Sequence, residues 1–323
     1  MTLTGTVQKD TRKGDKRLAQ SVIEELWFGD DDPERTEHEA SRSLAAALGV
    51  ATGLKPFPLV LSRALLMLQN PDESRQKVAA VLEQDPALAS RLLRVANSAL
   101  YAPTRACGTV MEAVVRLGNR NVADMVAGIA VFGMFSDVQG LGLRVRDHCA
   151  GVAAIARILA VEWRHAGAEN VFLAGLMHDI GRLLMMQAGE PRYEQLDPEL
   201  VATPDRIHLV ERELTGYDHA VLGAHVITDW RLPAEVARAV AFHHQPGRAF
   251  EAGGDLGLVV ALIRLADRID AQAGRGLVPE PEFLRSLAGD ESAQYAGFSG
   301  DVLEAMWAKL TRTRDEALSV LKG

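Results

Sequence analysis

Apolar residues recur at three- and four-residue intervals along most of this 323-residue chain, and this spacing limits the fold more than any other feature. In the segment that follows Asp85, for example, Leu88, Leu92 and Ala96 fall on one face of a predicted helix. Asp85 is expected to cap this helix and Pro86 to occupy its first position. No segment alternates apolar and polar residues between hairpin turns, as a half-buried strand does. The sequence therefore predicts an all-α fold.

Breaks that contain glycine and proline divide the predicted helices into four parts. The parts are an N-terminal helical leader at 1–52, a first helical lobe at 53–140, a second helical lobe at 141–275 and a helical tail at 276–323. The leader is expected to hold helices at about 16–28 and 34–48, and the tail one helix at about 302–321. Gly118 is expected to interrupt the first lobe's last helices, and one unbroken helix is expected at about 171–187.

Composition narrows the class of protein. Lys and Arg number 35 and Asp and Glu number 43, so the formal net charge of −8 argues against a nucleic-acid partner. The longest uncharged apolar run, Met125 to Phe135, has 11 residues, whereas a bilayer span needs roughly 20. The N-terminal residues lack the apolar centre of a signal peptide, and two cysteines are too few for a disulfide framework. We therefore expect a cytoplasmic protein with no membrane partner.

Histidine and aspartate supply the most informative chemistry. The chain has nine histidines, and several of them accompany aspartates in strongly apolar helical segments, where an isolated charge would be costly. Imidazole nitrogen with carboxylate oxygen is the ligand mixture of Zn, Mn or Fe(II) rather than of calcium. The sequence thus predicts a site for one or two divalent metal ions. The candidate ligands are His148, His178, Asp179, His219, His243, His244 and Asp267.

Other roles remain open for these residues when each is taken alone. His148 could be an ordinary surface or core histidine, and Asp267 a solvent-facing carboxylate. The pair His243 and His244 could cap a helix C-terminus, where imidazolium is favoured. Arg182 lies four residues after His178, on the same predicted helix face, and could contact a phosphate or pair with a carboxylate.

Two groups of motifs are similar to known families. Leu176–Arg182 resembles the HD motif of the HD-domain superfamily of metal-dependent phosphohydrolases. Further segments are similar to the signature of the HDOD family, the HD-related output domain, and the match covers about residues 54–272. These segments are Lys55–Pro58, Asp85–Leu88, Leu92–Tyr101, Ala113–Gly118, Asp218–Ala224, Trp230–Pro233 and His243–Pro246.

The resemblance implies a two-lobed bacterial signalling module with regulatory roles linked to cyclic-dinucleotide signalling, motility or stress. An HDOD lobe would be followed by an HD-like lobe that carries the metal site. Many relatives lack part of the ligand set, whereas this chain retains His148, the pair His178 and Asp179, and the closing Asp267. By the same resemblance, His219 with His243 or His244 would supply the extra ligands of the two-metal subgroup.

The two-metal subgroup includes the HD-GYP cyclic-di-GMP phosphodiesterases. Gln-Pro-Gly-Arg follows His244 where their Gly-Tyr-Pro motif would be expected, which argues against cyclic-di-GMP hydrolysis.

Two functions follow as hypotheses. The first is a regulatory protein that acts by binding a signalling protein partner or a nucleotide ligand. The alternative is a metal-dependent phosphohydrolase or phosphodiesterase acting on a nucleotide, with Asp179 as ligand or proton acceptor and Arg182 as the phosphate contact. Asn97 and Ser98, by contrast, are expected to bond to the backbone and to fix the geometry between the lobes.

Overall fold

A computed structural model shows that every regular element in the described part of the chain is a helix, which confirms the all-α prediction. The structure describes residues 58–70, 72–97, 105–162, 170–189, 191–196, 204–276 and 279–322, together with Gly49. The two leader helices expected at about 16–28 and 34–48 lie outside these residues, as does Ser98.

The first lobe is built from four helices around the longest of them. They are α1 (Leu59–Gln69), α2 (Arg75–Leu82), α3 (Pro86–Ala96) and α4 (Val110–Met134). Asp85 caps α3 as expected, because its carboxylate accepts hydrogen bonds from the backbone N–H groups of Ala87 and Leu88 at 2.9 and 3.1 Å. The predicted break at Gly118 is present as a kink in α4, where φ is 77° and ψ is 163°.

The side chain of Asn97 bonds to the backbone, as the sequence predicted, but within one lobe. Its amide oxygen accepts from the N–H of Cys107 at 2.7 Å, and its amide nitrogen donates to the carbonyl of Cys107 at 3.0 Å. Both residues flank the connection between α3 and α4. The expected role of Asn97 in the geometry between the lobes is therefore wrong, because these bonds stay inside the first lobe.

In the second lobe a central helix, α5 (Gly140–Glu162), packs against α6 (Val171–Met177), α12 (Gly254–Ala273) and the last described helix, α15 (Gly300–Lys322). The helices of this lobe are α5 (Gly140–Glu162), α6 (Val171–Met177), α7 (Ile180–Ala188), α8 (Pro204–Thr215), α9 (His219–Asp229), α10 (Ala234–Phe242), α11 (Pro246–Ala252) and α12 (Gly254–Ala273). The helix α4 packs against α6 as well as against the first-lobe helices, and one apolar core runs through both lobes. An ion pair between Asp124 and Arg157, at 3.3 Å, also joins α4 to α5.

The single helix expected at about 171–187 is wrong, since the chain breaks between α6 and α7. Asp179 leaves the helical region with φ −104° and ψ 13°. A Cβ on Gly181 would collide with the backbone carbonyl of His219, so glycine allows the start of α7 to touch the start of α9. The break therefore serves a close contact between two helices, which the periodicity of one segment cannot reveal.

Three helices complete the described chain, of which the sequence predicted only the last. They are α13 (Pro281–Ala288), α14 (Glu291–Ala296) and α15 (Gly300–Lys322). The helix α15 lies along α5 and also reaches α3 and α4, because Gly128 leaves room for the side chain of Leu321. None of the described helices has the length and apolar content that crossing a bilayer requires.

Candidate metal centre

The break between α6 and α7 presents His178 and Asp179 to the interior of the second lobe. His178 is fully buried, and its Nδ1 lies 2.7 Å from the carbonyl oxygen of Gly175. A carbonyl only accepts, so Nδ1 carries the proton and Nε2 is left with its lone pair. That buried Nε2 has no hydrogen-bond partner among the described residues. Burial lowers the pKa of His178, which keeps the ring neutral.

His148, His178 and Asp267 form the first of two ligand groups, here called the His148 group. One ligand atom from each lies within 4.8 Å of the others. His148 Nε2 is 3.1 Å from Asp267 Oδ1, and the two side chains form a largely buried ion pair. These atoms converge from α5, from the break after α6 and from α12. A divalent ion bound by them would displace the proton from His148 Nε2.

Asp270 supports the His148 group from behind. Its Oδ2 accepts a hydrogen bond from His148 Nδ1 at 2.7 Å, and its Oδ1 accepts one from Arg314 Nε at 2.6 Å. A Cβ on Gly151 would collide with Asp270, so the absence of a side chain on α5 lets the carboxylate approach. Burial lowers the pKa of His148, but hydrogen bonds to Asp267 and Asp270 and their charges outweigh it and raise the pKa to about 10.

Asp179, His219, His243 and His244 form the second group, here called the His219 group. His219 Nε2 lies 3.0 Å from Asp179 Oδ1 and 2.9 Å from His244 Nε2. His243 Nδ1 is 2.5 Å from the carbonyl oxygen of Val240, which again leaves Nε2 facing the group. Burial and the neighbouring imidazoles lower the pKa values of His243 and His244 well below the usual range.

Glu211 supports the His219 group, and the sequence analysis missed it. This fully buried carboxylate contacts His219 Nδ1 at 2.5 Å and accepts from the backbone N–H of His219 at 2.9 Å. It also accepts from the hydroxyl of Tyr193 at 2.6 Å. Ile207, one turn earlier in α8, is buried as well, so an acid on the apolar face of this helix was the available signal.

Asp179 links the two groups. Its Oδ1 faces His219, whereas its Oδ2 lies 3.8 Å from His178 Nε2 and accepts from Arg182 Nη1 at 2.8 Å. Arg182 thus pairs with a carboxylate, one of the two roles left open by the sequence. Burial raises the pKa of Asp179, but the charges of Arg182 and His219 outweigh it and hold the pKa well below its usual range.

All seven candidate ligands lie in these two adjacent groups. Asp267 and the three imidazoles His178, His219 and His243 are buried, so the solvent-facing and simple capping roles do not apply to them. His148 and His244 are only partly exposed. The ring of His208, which the sequence did not single out, stacks on His244 with centroids 4.3 Å apart. Together the histidine and aspartate side chains can hold a metal ion.

Comparison with known proteins places this arrangement in context. The family model for the HDOD domain matches residues 54–246. A curated but uncharacterized protein of Treponema pallidum (strain Nichols) is 24% identical over 261 residues, which cover 79% of this chain and 50% of that protein. The chain therefore spans about half the length of this relative.

Several solved structures share the fold. A candidate phosphohydrolase from Shewanella amazonensis SB2B is 28% identical, with a TM-score of 0.67 over 86% of this chain and 98% of the other. An HDOD domain protein of unknown function from Geobacter sulfurreducens gives 23% identity and a TM-score of 0.68 at the same coverage. A candidate signal transduction protein from Marinobacter aquaeolei VT8 gives 20% and 0.62, over 98% of this chain and 68% of the other.

Proposed function

This chain belongs to the HDOD family, and from that premise we propose that it is a metal-binding regulatory module of bacterial signal transduction. The His148 and His219 groups would hold one or two divalent ions, with Mn, Fe or Zn matching the ligand types. The module would act by binding a signalling protein or a nucleotide. We place it in the cytoplasm, where unpaired thiols such as the buried Cys107 and Cys149 stay reduced.

The ligand atoms of the His148 group carry this proposal. His178 Nε2 is buried and finds no hydrogen bond in the described chain, and the buried Asp267 Oδ1 has His148 Nε2 at 3.1 Å. Leaving a buried acceptor unsatisfied costs about 1–3 kcal/mol, and more when it is charged. A cation bound there would remove this penalty at His178 and would replace the proton of His148 beside Asp267.

The surrounding residues would hold the ligands in place. Asp270 orients the ring of His148, Glu211 orients that of His219, and Arg182 fixes the carboxylate of Asp179. A divalent ion bound there would polarise a phosphoryl oxygen and lower the pKa of a coordinated water.

A metal-dependent phosphohydrolase is the second candidate function. It is favoured by the carboxylate of Asp179, which faces both groups and would allow two metal ions to bind next to each other. The Shewanella amazonensis neighbour, 28% identical, carries a phosphohydrolase description that agrees with it. In this function Asp179 would accept a proton or bind metal. Because Arg182 is already paired with Asp179, its guanidinium would have to bind the phosphate and this carboxylate together. The missing Gly-Tyr-Pro motif still argues against cyclic-di-GMP as substrate.

Metal analysis of the purified chain tests the proposal. After chelator treatment and reloading with Mn, Fe or Zn, the wild type should retain one to two ions per chain. His178→Ala should lose at least one. His225→Ala is the matched control, since His225 pairs with Asp229 and belongs to neither ligand group. Absence of bound metal from the wild type under every loading condition would contradict the proposal.

A screen of phosphorylated nucleotides with added Mn separates the two functions. Turnover that His178→Ala abolishes, with unchanged circular dichroism, would establish the phosphohydrolase. If the metal-loaded wild type turns over none of these substrates, the phosphohydrolase function is excluded and the regulatory function is retained.

A further inference from the structure

A polar cavity lies away from the histidines, where the last turns of α15 meet α3, α4 and the start of α5. Its volume is about 300 Å³, at the lower end of the range for small-molecule sites. The walls contain none of the seven candidate metal ligands. The lining residues are Arg91, Arg94, Val95, Ile129, Phe132, Ser136, Arg146, Val320, Leu321 and Lys322.

Positive charge dominates this cavity, although the chain as a whole is acidic. Four cationic side chains line it, namely Arg91, Arg94, Arg146 and Lys322. Asp147 pairs with Arg146 at 3.3 Å and with Lys322 at 2.7 Å, and Asp137 accepts from the hydroxyl of Ser136 at 3.1 Å. Arg146 and Lys322 thus share the single carboxylate of Asp147, so positive charge exceeds negative charge on this side of the cavity. Cations that converge on a concave surface favour an anionic ligand.

Arg146 shows that the cavity is built rather than incidental. Its side chain is only 10% exposed, and its buried Nε has no hydrogen-bond partner among the described residues. Nη1 donates to the carbonyl of Phe135 at 3.2 Å, and the guanidinium carbon lies 4.5 Å from the ring centre of Phe132. These contacts fix the plane of the guanidinium. A rigid, incompletely satisfied arginine is a usual component of phosphate recognition.

The remaining wall suits an uncharged organic group. Val95, Ile129 and Leu321 are apolar and line the same cavity as the arginines. Small-molecule sites commonly combine such apolar contacts with a few convergent polar groups. An inorganic anion would leave this surface unused.

We infer that the cavity between α3, α4 and α15 binds a small organic phosphate, with its phosphate on the arginines and its uncharged part on the apolar wall. The nucleoside monophosphates and the sugar phosphates both have this chemistry. The inference does not depend on metal at the histidine groups, because no residue is shared between the two places.

Calorimetric titration of the full chain tests the inference. The protein is first treated with chelator, so that no ion at the histidines can bind phosphate, and is then titrated with GMP, ribose 5-phosphate and inorganic pyrophosphate. The variant Arg91→Gln/Arg94→Gln removes two exposed charges from the cavity wall. The control Arg63→Gln/Arg285→Gln removes the same charge from exposed positions outside it.

The expected result is saturable binding of one organic phosphate per chain. Binding should weaken at least about tenfold in Arg91→Gln/Arg94→Gln, since this variant loses two charge-assisted contacts with the phosphate. The control should bind as the wild type does. Ser136→Asp, which adds negative charge at an exposed wall position, should weaken binding comparably. If GMP binds more tightly, the ligand is a nucleotide. If ribose 5-phosphate binds more tightly, the ligand is a sugar phosphate.

Three outcomes would overturn the inference. The first is that none of the three probes binds the wild type. The second is that pyrophosphate binds as tightly as both organic phosphates, which would mean that the apolar wall does not contribute to binding. The third is that the control weakens binding as much as the cavity variant. Duplex DNA that binds in an Arg91- and Arg94-dependent way, while the small phosphates do not, would likewise replace it with a nucleic-acid surface.

Discussion

The His148 group and the His219 group use the same kinds of ligand, yet they are supported differently. The His148 group keeps one buried acceptor without a hydrogen bond, the Nε2 of His178, and the side chain of His148 is 18% exposed. In the His219 group the imidazoles contact one another, and Glu211 supports the fully buried His219 from behind. The comparison indicates that the His148 group leaves an acceptor open to an ion, whereas the imidazoles of the His219 group already contact one another.

Asp179→Asn should break both groups together and have the largest effect. The carboxylate faces both groups, and the amide would also lose its charge against Arg182. Metal affinity should fall more than about 100-fold, beyond the usual loss for a residue that only supports a ligand. Calorimetric titration with Mn or Zn measures it. Asp229→Asn, at a side chain that is 57% exposed, is the control. Retention of one full-affinity ion would show that the groups are independent.

Asp270→Asn and Glu211→Gln should separate the groups. Each change keeps the shape of a supporting side chain but removes the charge that orients one histidine. A loss of about 10–100-fold is expected for one ion only, the ion in the group concerned. Metal titration of each variant, with the exposed Glu162→Gln as control, checks this. If both variants weakened the same ion, the division into two groups would be wrong.

Gly151→Ala should disturb the His148 group through packing alone. The added methyl would collide with Asp270, and such overpacking usually costs about 1–3 kcal/mol. Chemical denaturation measures the free energy of unfolding, and metal titration should show weaker binding in this group. Gly247→Ala is matched, because nothing lies within 4 Å of the position of its new methyl. Equal stability of the two variants would mean that Asp270 moves aside freely.

The metal-free protein should lose a little stability as the pH rises from 7 to 10. The carboxylates around His148 and His219 raise the pKa of each ring to about 10, despite the opposing effect of burial. Histidines with a raised folded-state pKa stabilise the fold at low pH and lose that contribution as the pH passes the raised value. The melting temperature should fall by about 5 °C. His148→Gln and His219→Gln should each flatten part of this slope, and an unchanged slope in both would exclude the explanation.

That these histidines and aspartates would lie close together was predictable, whereas their division into two groups was not. Histidines and aspartates in apolar segments pointed to a metal site before any coordinates. Their division into two groups depends on which helices meet, and on the break at Asp179, which lacks an adjacent proline. The Gly181–His219 contact explains that break only when both helices are placed.

Supporting residues were harder to recognise than ligands. The roles of Glu211 and Asp270 depend on partners that lie on other segments of the chain. The short helix α14 was missed although its signal was present. Asp290 caps it by accepting from the N–H of Ser292 at 2.8 Å, which is a local pattern.

The helix α15 connects the basic cavity to the candidate metal ligands of the His148 group. Arg314 and Lys322 are eight residues apart, or about 12 Å along a helix. One reaches Asp270 behind His148, and the other lines the basic cavity. A packed helix moves as a rigid body, so a ligand that draws Lys322 away from Asp147 would also displace Arg314. Arg314 would in turn shift the carboxylate of Asp270, which orients the ring of His148. A ligand in the basic cavity would then change the affinity of the His148 group for an ion.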